Sequence, residues 1–190
     1  MCVGILKTLN NFFATSYDNK HIAILAQKVE KLYMSIPGGI MDQMVSSLGI
    51  YNKAFFLDCL NLKYELIDIH SSWIFCLLYS TSNQNKKNTL YKVRCKEIKD
   101  AENILNTQYL GTLTKNQLCE HYFENKIIFK RAKHVIYENH LVKIAKISLK
   151  ENNIKQFGNL MNKSQKSYSK NFKASNGNID LIVDRSLKSG

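Results

Sequence analysis

A single proline, Pro37, stands in this chain, inside the run Ile36-Pro37-Gly38-Gly39. With 1 Pro and 8 Gly among 190 residues, little else stops a helix once it has started. That scarcity favours long helices over an all-β sandwich. Hydrophobic residues make up 45% and aromatic residues 11%, enough for a packed core and against disorder. The length suits one ordinary domain or two small ones.

Periodicity organises the chain around that break. Val3, Leu6, Leu9 and Phe13 recur at helical spacing from the first residues. No capping residue precedes Met1, so the chain is expected to begin inside an element. A second helix is expected over residues 19–34, with Ile22, Leu25, Ala26, Val29, Leu32 and Tyr33 on one face and Asp18 or Asn19 as cap. Strands are expected over 53–60, 64–69 and 72–79. The first two form a hairpin around Asn61-Leu62-Lys63, and the third, WIFCLLY, reads as a strand buried on both faces. Residues 80–88 are polar and read as a loop. Helices then follow at 89–106, 114–123, 125–151, 152–172 and 177–188, with breaks at Asn152-Asn153 and Ser175-Asn176-Gly177. Mixed elements followed by helices make an α+β order, with a domain boundary near residue 70.

The formal net charge is +12. Lysine is spread along the chain, densest at Lys86-Lys87 and between Lys163 and Lys173, with no arginine-rich arm and no stacking platform. This reads as a solvated lysine-rich surface, and no nucleic-acid partner is expected. The five cysteines (Cys2, Cys59, Cys76, Cys95 and Cys119) show no CxxC spacing. They read as reduced thiols, with Cys59 and Cys76 buried in apolar strands. The N-terminal stretch has neither a charged n-region nor a small-residue cleavage site, and no apolar run approaches about 18 residues. A cytoplasmic protein without membrane association is expected.

The stretch from Pro37 to Gln43 carries the most chemistry. Two glycines ahead of a short helix let backbone approach a ligand and leave N–H groups free for polar oxygens. Asp42, in the first helical turn, is placed to accept a proton from a substrate hydroxyl. Spacing alone favours a simpler account, a tight turn with Asp42 at the positive helix end. His70, His121, His134 and His140 show no metal-ligand spacing. His134 reads as packed on a helix, and Glu120-His121 as a solvated pair.

The order of motifs narrows this. Gln27-Lys28-Val29-Glu30, then Pro37-Gly38-Gly39-Ile40-Met41-Asp42-Gln43, then Ala54-Phe55-Phe56-Leu57-Asp58-Cys59 resembles the galactokinases of the GHMP kinase superfamily, where QKAE precedes PCGIMDQ and ALLIDC. Lys130 to Asn139 is similar to RRARHVVTEN, Phe157 to Ser164 to FGELMNASH, and Asn178 to Val183 to ELDxLV. The matches are collinear. The resemblance implies a fragment of the GHMP kinase fold, with the end of an S5-like N-terminal domain in 1–70 and the helical start of a ferredoxin-like C-terminal domain in 71–190. It implies ATP and Mg²⁺ as cofactors and galactose or a related sugar as substrate. Asp42 falls on the catalytic base, Gly39 on a glycine whose backbone contacts the sugar, Tyr91 on a tyrosine lying against a sugar hydroxyl, and Glu30 on a Mg²⁺ ligand. Taken without the resemblance, Glu30 reads as a solvated partner of Lys28 or Lys31, and Tyr91 as a half-buried aromatic.

Departures accompany these matches. The family's Cys is Gly38 here, its second Arg after the Tyr is Cys95, and its His after FGxLM is Gln165. The family's GRVNLIGEHTD, GLSSSA phosphate loop and MTGGGFGGC glycine loop have no counterpart. The isolated chain is therefore expected to be inactive or nearly so, and to expose apolar surface. A non-catalytic sugar-binding or regulatory role, a remnant of a decayed gene, and a complementing chain all stay open.

Overall fold

The computed structural model describes residues 1–35, 38–79 and 84–189. They form two compact units, Met1–His70 and Ser71–Gly190. The cluster expected at Ile36-Pro37 and the loop residues 80–83 lie outside the described residues.

The first unit contains helices α1 (Cys2–Phe12), α2 (Asn19–Leu32) and α3 (Met41–Leu48), then strands β1 (Lys53–Asp58) and β2 (Lys63–Asp68). Asp18 caps α2 by accepting the His21 N–H. Cys2, Val3, Ile22 and Ala26 form the buried seam between α1 and α2, with Leu6 and Val29 against it. Met44 brings α3 into the interior. The Lys7 ammonium donates to the Ser47 carbonyl at 2.8 Å, and the Ser47 hydroxyl donates to the Asn19 carbonyl at 2.6 Å. These bonds tie both neighbouring helices to the same turn of α3. A Cβ at Gly49 would sit 2.5 Å from the Val45 carbonyl oxygen, so only glycine lets the chain leave α3 this way. The apolar face expected on α2 ends earlier than residue 34: Leu32 and Tyr33 are exposed, because α2 stops at Leu32.

The hairpin is antiparallel, with Lys53 opposite Asp68 and Asp58 opposite Lys63. Asp58 closes it, accepting the Leu60 N–H and the Asn61 amide. Cys59 lies in this loop and is exposed, as is Cys76, so neither is the buried thiol expected. Of the five, Cys2 is the buried one.

The second unit is helical: α4 (Gln84–Ile104), α5 (Lys115–Cys119), α6 (Lys126–Lys150), α7 (Ile154–Ser167) and α8 (Gly177–Lys188). Its core joins Ala101 of α4, Leu105 just past its end, Leu110, Leu118 of α5, and Ile128, Ala132 and Ile136 of α6. Caps set the boundaries. Asn125, Asn153 and Asn176 each accept an N–H from the helix they open. Asn152 takes a left-handed φ of 52°, and the Asn152 and Asn153 N–H groups return to the Leu149 and Ser148 carbonyls. That is a Schellman closure, which asparagine tolerates better than most residues. The expected 114–123 helix is shorter, confined to α5 by a capping box between Thr114 and Gln117. Helix α4 begins at Gln84, inside the stretch expected to be loop. The helix expected through residue 172 becomes a π turn over Tyr168–Phe172.

The third strand does not form among the described residues. Residues 73–79 have no assigned secondary structure, and Ile74, Leu77 and Tyr79 are 83%, 100% and 90% exposed. A strand needs a hydrogen-bonding neighbour, and a helical unit supplies none. Trp73 is the buried exception. It donates from Nε1 to the Asn152 amide oxygen at 2.6 Å and packs edge-on against Phe157.

His134 is buried as expected, stacked on Phe172 with centroids 4.5 Å apart and hydrogen-bonded through Nδ1 to the Ser167 hydroxyl at 2.9 Å. Burial, with the Arg131 charge adding to it, pushes its pKa down to about 4. Glu138 lies 3.8 Å away, but burial raises its own pKa and its Oε2 accepts from Ser164. It therefore offers little compensation. The unfolded imidazole, at its ordinary value of 6.5, binds the proton more readily than the folded one. Stability at this residue should thus be intact above pH 6.5 and decline toward pH 4, by up to about 3 kcal/mol. A His134→Asn variant should lose that slope in urea melts taken across the window. An unchanged slope would contradict it.

Candidate functional site

The residues singled out from the sequence fall on two units. Glu30, Gly39 and Asp42 belong to the first, and Tyr91 lies on α4 of the second. In the first unit, Gly38 and Gly39 lead into α3, whose first turn holds Asp42. The helix has no side-chain cap at Ile40, so its first N–H groups carry no such partner among the described residues. That leaves the positive helix end open to a polar ligand. A Cβ at Gly38 or Gly39 would meet nothing within 4 Å. The glycines are thus not demanded by neighbouring protein atoms, which fits backbone reserved for something else. Asp42 is exposed, and no hydrogen bond to its carboxylate occurs among the described residues.

Glu30 sits half-buried in the last turn of α2. Its Oε2 accepts the Gln43 amide at 2.5 Å, not the ammonium of Lys28 or Lys31. Gln43 follows Asp42 directly and is buried. One hydrogen bond therefore links the helix of the candidate metal ligand to the helix of the candidate base. Sequence reasoning had no signal for it, because the pair spans 13 residues and the break between two helices.

Among the described residues, no group of three or more His, Cys, Asp or Glu side chains gathers to hold a metal. A lone carboxylate still suits Mg²⁺, which takes one or two from protein and completes its shell with phosphates and water. Tyr91 is 41% exposed, and burial, then Cys95 one turn on, pushes its phenol up. No helix among the described residues is long and apolar enough to cross a membrane.

The family described as GHMP kinases N terminal domain matches residues 1–50. A galactokinase of Clostridium perfringens strain 13 is 32% identical over 97% of this chain and 49% of its own length. One from Fusobacterium nucleatum is 31% identical over 93% and 47%. Among solved structures, the crystal structure of Lactococcus lactis galactokinase complexed with galactose superposes with a TM-score of 0.85 at 25% identity. That match covers 98% of this chain and 50% of the other. The chain spans about half the length of the curated relatives it matches. Along almost its whole length, then, the chain is galactokinase-like, a homologue of one half of the galactokinases of the GHMP kinase superfamily.

Proposed function

We propose that the chain is the catalytic-base half of an ATP-dependent kinase acting on the 1-hydroxyl of α-D-galactose. The observation that carries this is Asp42, exposed in the first turn of α3 behind two glycines and one residue from a hydrogen bond to Glu30. Residues 1–70 would close an S5-like domain, and residues 71–190 would open the ferredoxin-like one.

In this reading Asp42 takes the proton of the sugar hydroxyl as its oxygen attacks the γ-phosphorus. A new O–P bond forms, the bond to the β–γ bridging oxygen breaks, and ADP leaves. Such transfer depends mostly on positioning and charge neutralisation, so one aspartate suffices as the protein base. The Gly39 backbone and the Tyr91 hydroxyl orient the sugar. Mg²⁺, when bound, neutralises the phosphate charge, and Glu30 is the residue that would hold it. The relatives are twice as long, and the resemblance puts the phosphate-cradling GLSSSA backbone outside the stretch that matches this chain. The 190-residue chain alone is therefore expected to leave labelled ATP untouched in the presence of galactose. A chimaera in which it replaces the corresponding segment of the Lactococcus lactis galactokinase should phosphorylate galactose. A chimaera that folds and binds ATP without turnover would overturn the proposal.

A further inference from the structure

Gln43 is the feature that this mechanism leaves unused. It is 8% exposed, deeper than Glu30, to which it bonds, and than Asp42, which precedes it. Its amide nitrogen donates to Glu30 Oε2. A carboxylate only accepts, so the amide orientation is settled by chemistry: nitrogen toward Glu30, oxygen away. That oxygen, Oε1, is buried with no hydrogen-bond partner among the described residues. A buried acceptor left alone is unfavourable, and native proteins seldom keep one without a purpose. Packing alone does not account for it, since an apolar side chain of similar length would fill the same space without stranding an oxygen.

We propose that Gln43 is a positioning residue for a divalent cation, holding the Glu30 carboxylate through its amide nitrogen and offering Oε1 to a water of the cation's shell. This rests on the assignment of Glu30 as the cation's ligand. It fits the habits of Mg²⁺, which sheds water reluctantly and is bound through few carboxylates. Residues that orient a ligating carboxylate matter nearly as much as the ligand, and losing one weakens metal binding about ten- to a hundredfold. It also explains why Gln43 is adjacent to Asp42. One short helix then sets both the base and the orientation of the metal ligand.

The test uses the 190-residue chain and MnCl₂ as a paramagnetic probe, read by NMR. As Mn²⁺ is added, the side-chain amide of Gln43 should broaden before those of other Asn and Gln residues, with the backbone signals of Glu30. Glu30→Gln should abolish the effect. Gln43→Met, close in length and apolar, should keep the thermal melt yet shift the Mn²⁺ midpoint by about ten- to a hundredfold. Should Gln43→Met not fold, the order of broadening in the unmodified chain decides alone. Broadening that vanishes in Glu30→Gln but is unmoved in Gln43→Met would overturn the role of Gln43 and leave Glu30 as ligand. Broadening that is uniform, or centred elsewhere, would overturn both.

Discussion

Replacing Asp42 by Asn in the active chimaera is expected to lower the rate of phosphoryl transfer about a hundred- to ten-thousandfold. The amide keeps the shape of the carboxylate and cannot take the proton. Folding should hardly notice. Asp42 is exposed, with no hydrogen-bond partner among the described residues, and its interaction with the helix end is worth less than about 1 kcal/mol. Loss of turnover with an unchanged melt therefore separates a chemical role from a structural one. The simple turn account predicts the reverse, a small stability change and intact turnover. Steady-state kinetics with thermal melts on the same preparation distinguish them.

The second large effect concerns folding of the helical unit. Arg94 Nη1 and Arg131 Nε both donate to one oxygen of Glu97, at 2.6 and 2.7 Å. Arg94 also donates to the Lys173 carbonyl, Arg131 donates to the Asn171 carbonyl, and the Arg94 guanidinium lies over Phe172. Burial pushes the Glu97 pKa up, but the hydrogen bonds and charges of the two arginines outweigh it and leave it lowered. Glu97 thus stabilises the fold above the ordinary carboxylate pKa of 4.5, and that stabilisation fades as pH falls through the folded value. Both arginines are buried, so removing Glu97 strands two positive charges. Glu97→Ala is expected to destabilise the unit by about 3–5 kcal/mol, a large share of the roughly 5–15 kcal/mol typical of a domain. Trp73, the one tryptophan, lies in this unit and reports its unfolding by fluorescence in urea. A change below about 1 kcal/mol, the scale of a surface ion pair, would contradict the buried triad.

Much of this architecture is legible in the residues, and the exceptions have separable causes. Helix α8 starts and ends at the expected residues because Asn176 caps it and the signal is local. Helix α6 falls within one residue for the same reason, through Asn125 and the Asn152 closure. The hairpin is announced by Asn61-Leu62-Lys63, and in the structure Asp58 closes it on Leu60 and Asn61. The third strand failed because a strand depends on partners far along the chain. WIFCLLY has the composition of a buried strand, but composition does not supply the neighbour that would pair with it. The exposure of Cys59 follows from β1 ending at Asp58, two residues earlier than the expected strand over 53–60. In the candidate site, the glycines and Asp42 stand out as a local motif. The Glu30–Gln43 bond does not, because neither helical periodicity nor a turn rule connects two residues across a break.

The most direct test of the central claim is the position of the phosphate in the product. The chimaera would be given galactose and ATP, and the product examined by ³¹P and ¹³C NMR. The account predicts phosphorus coupled to the anomeric carbon, and no such product when Asp42 is Asn. Transfer to another hydroxyl, or undiminished anomeric transfer in the Asn variant, would contradict it.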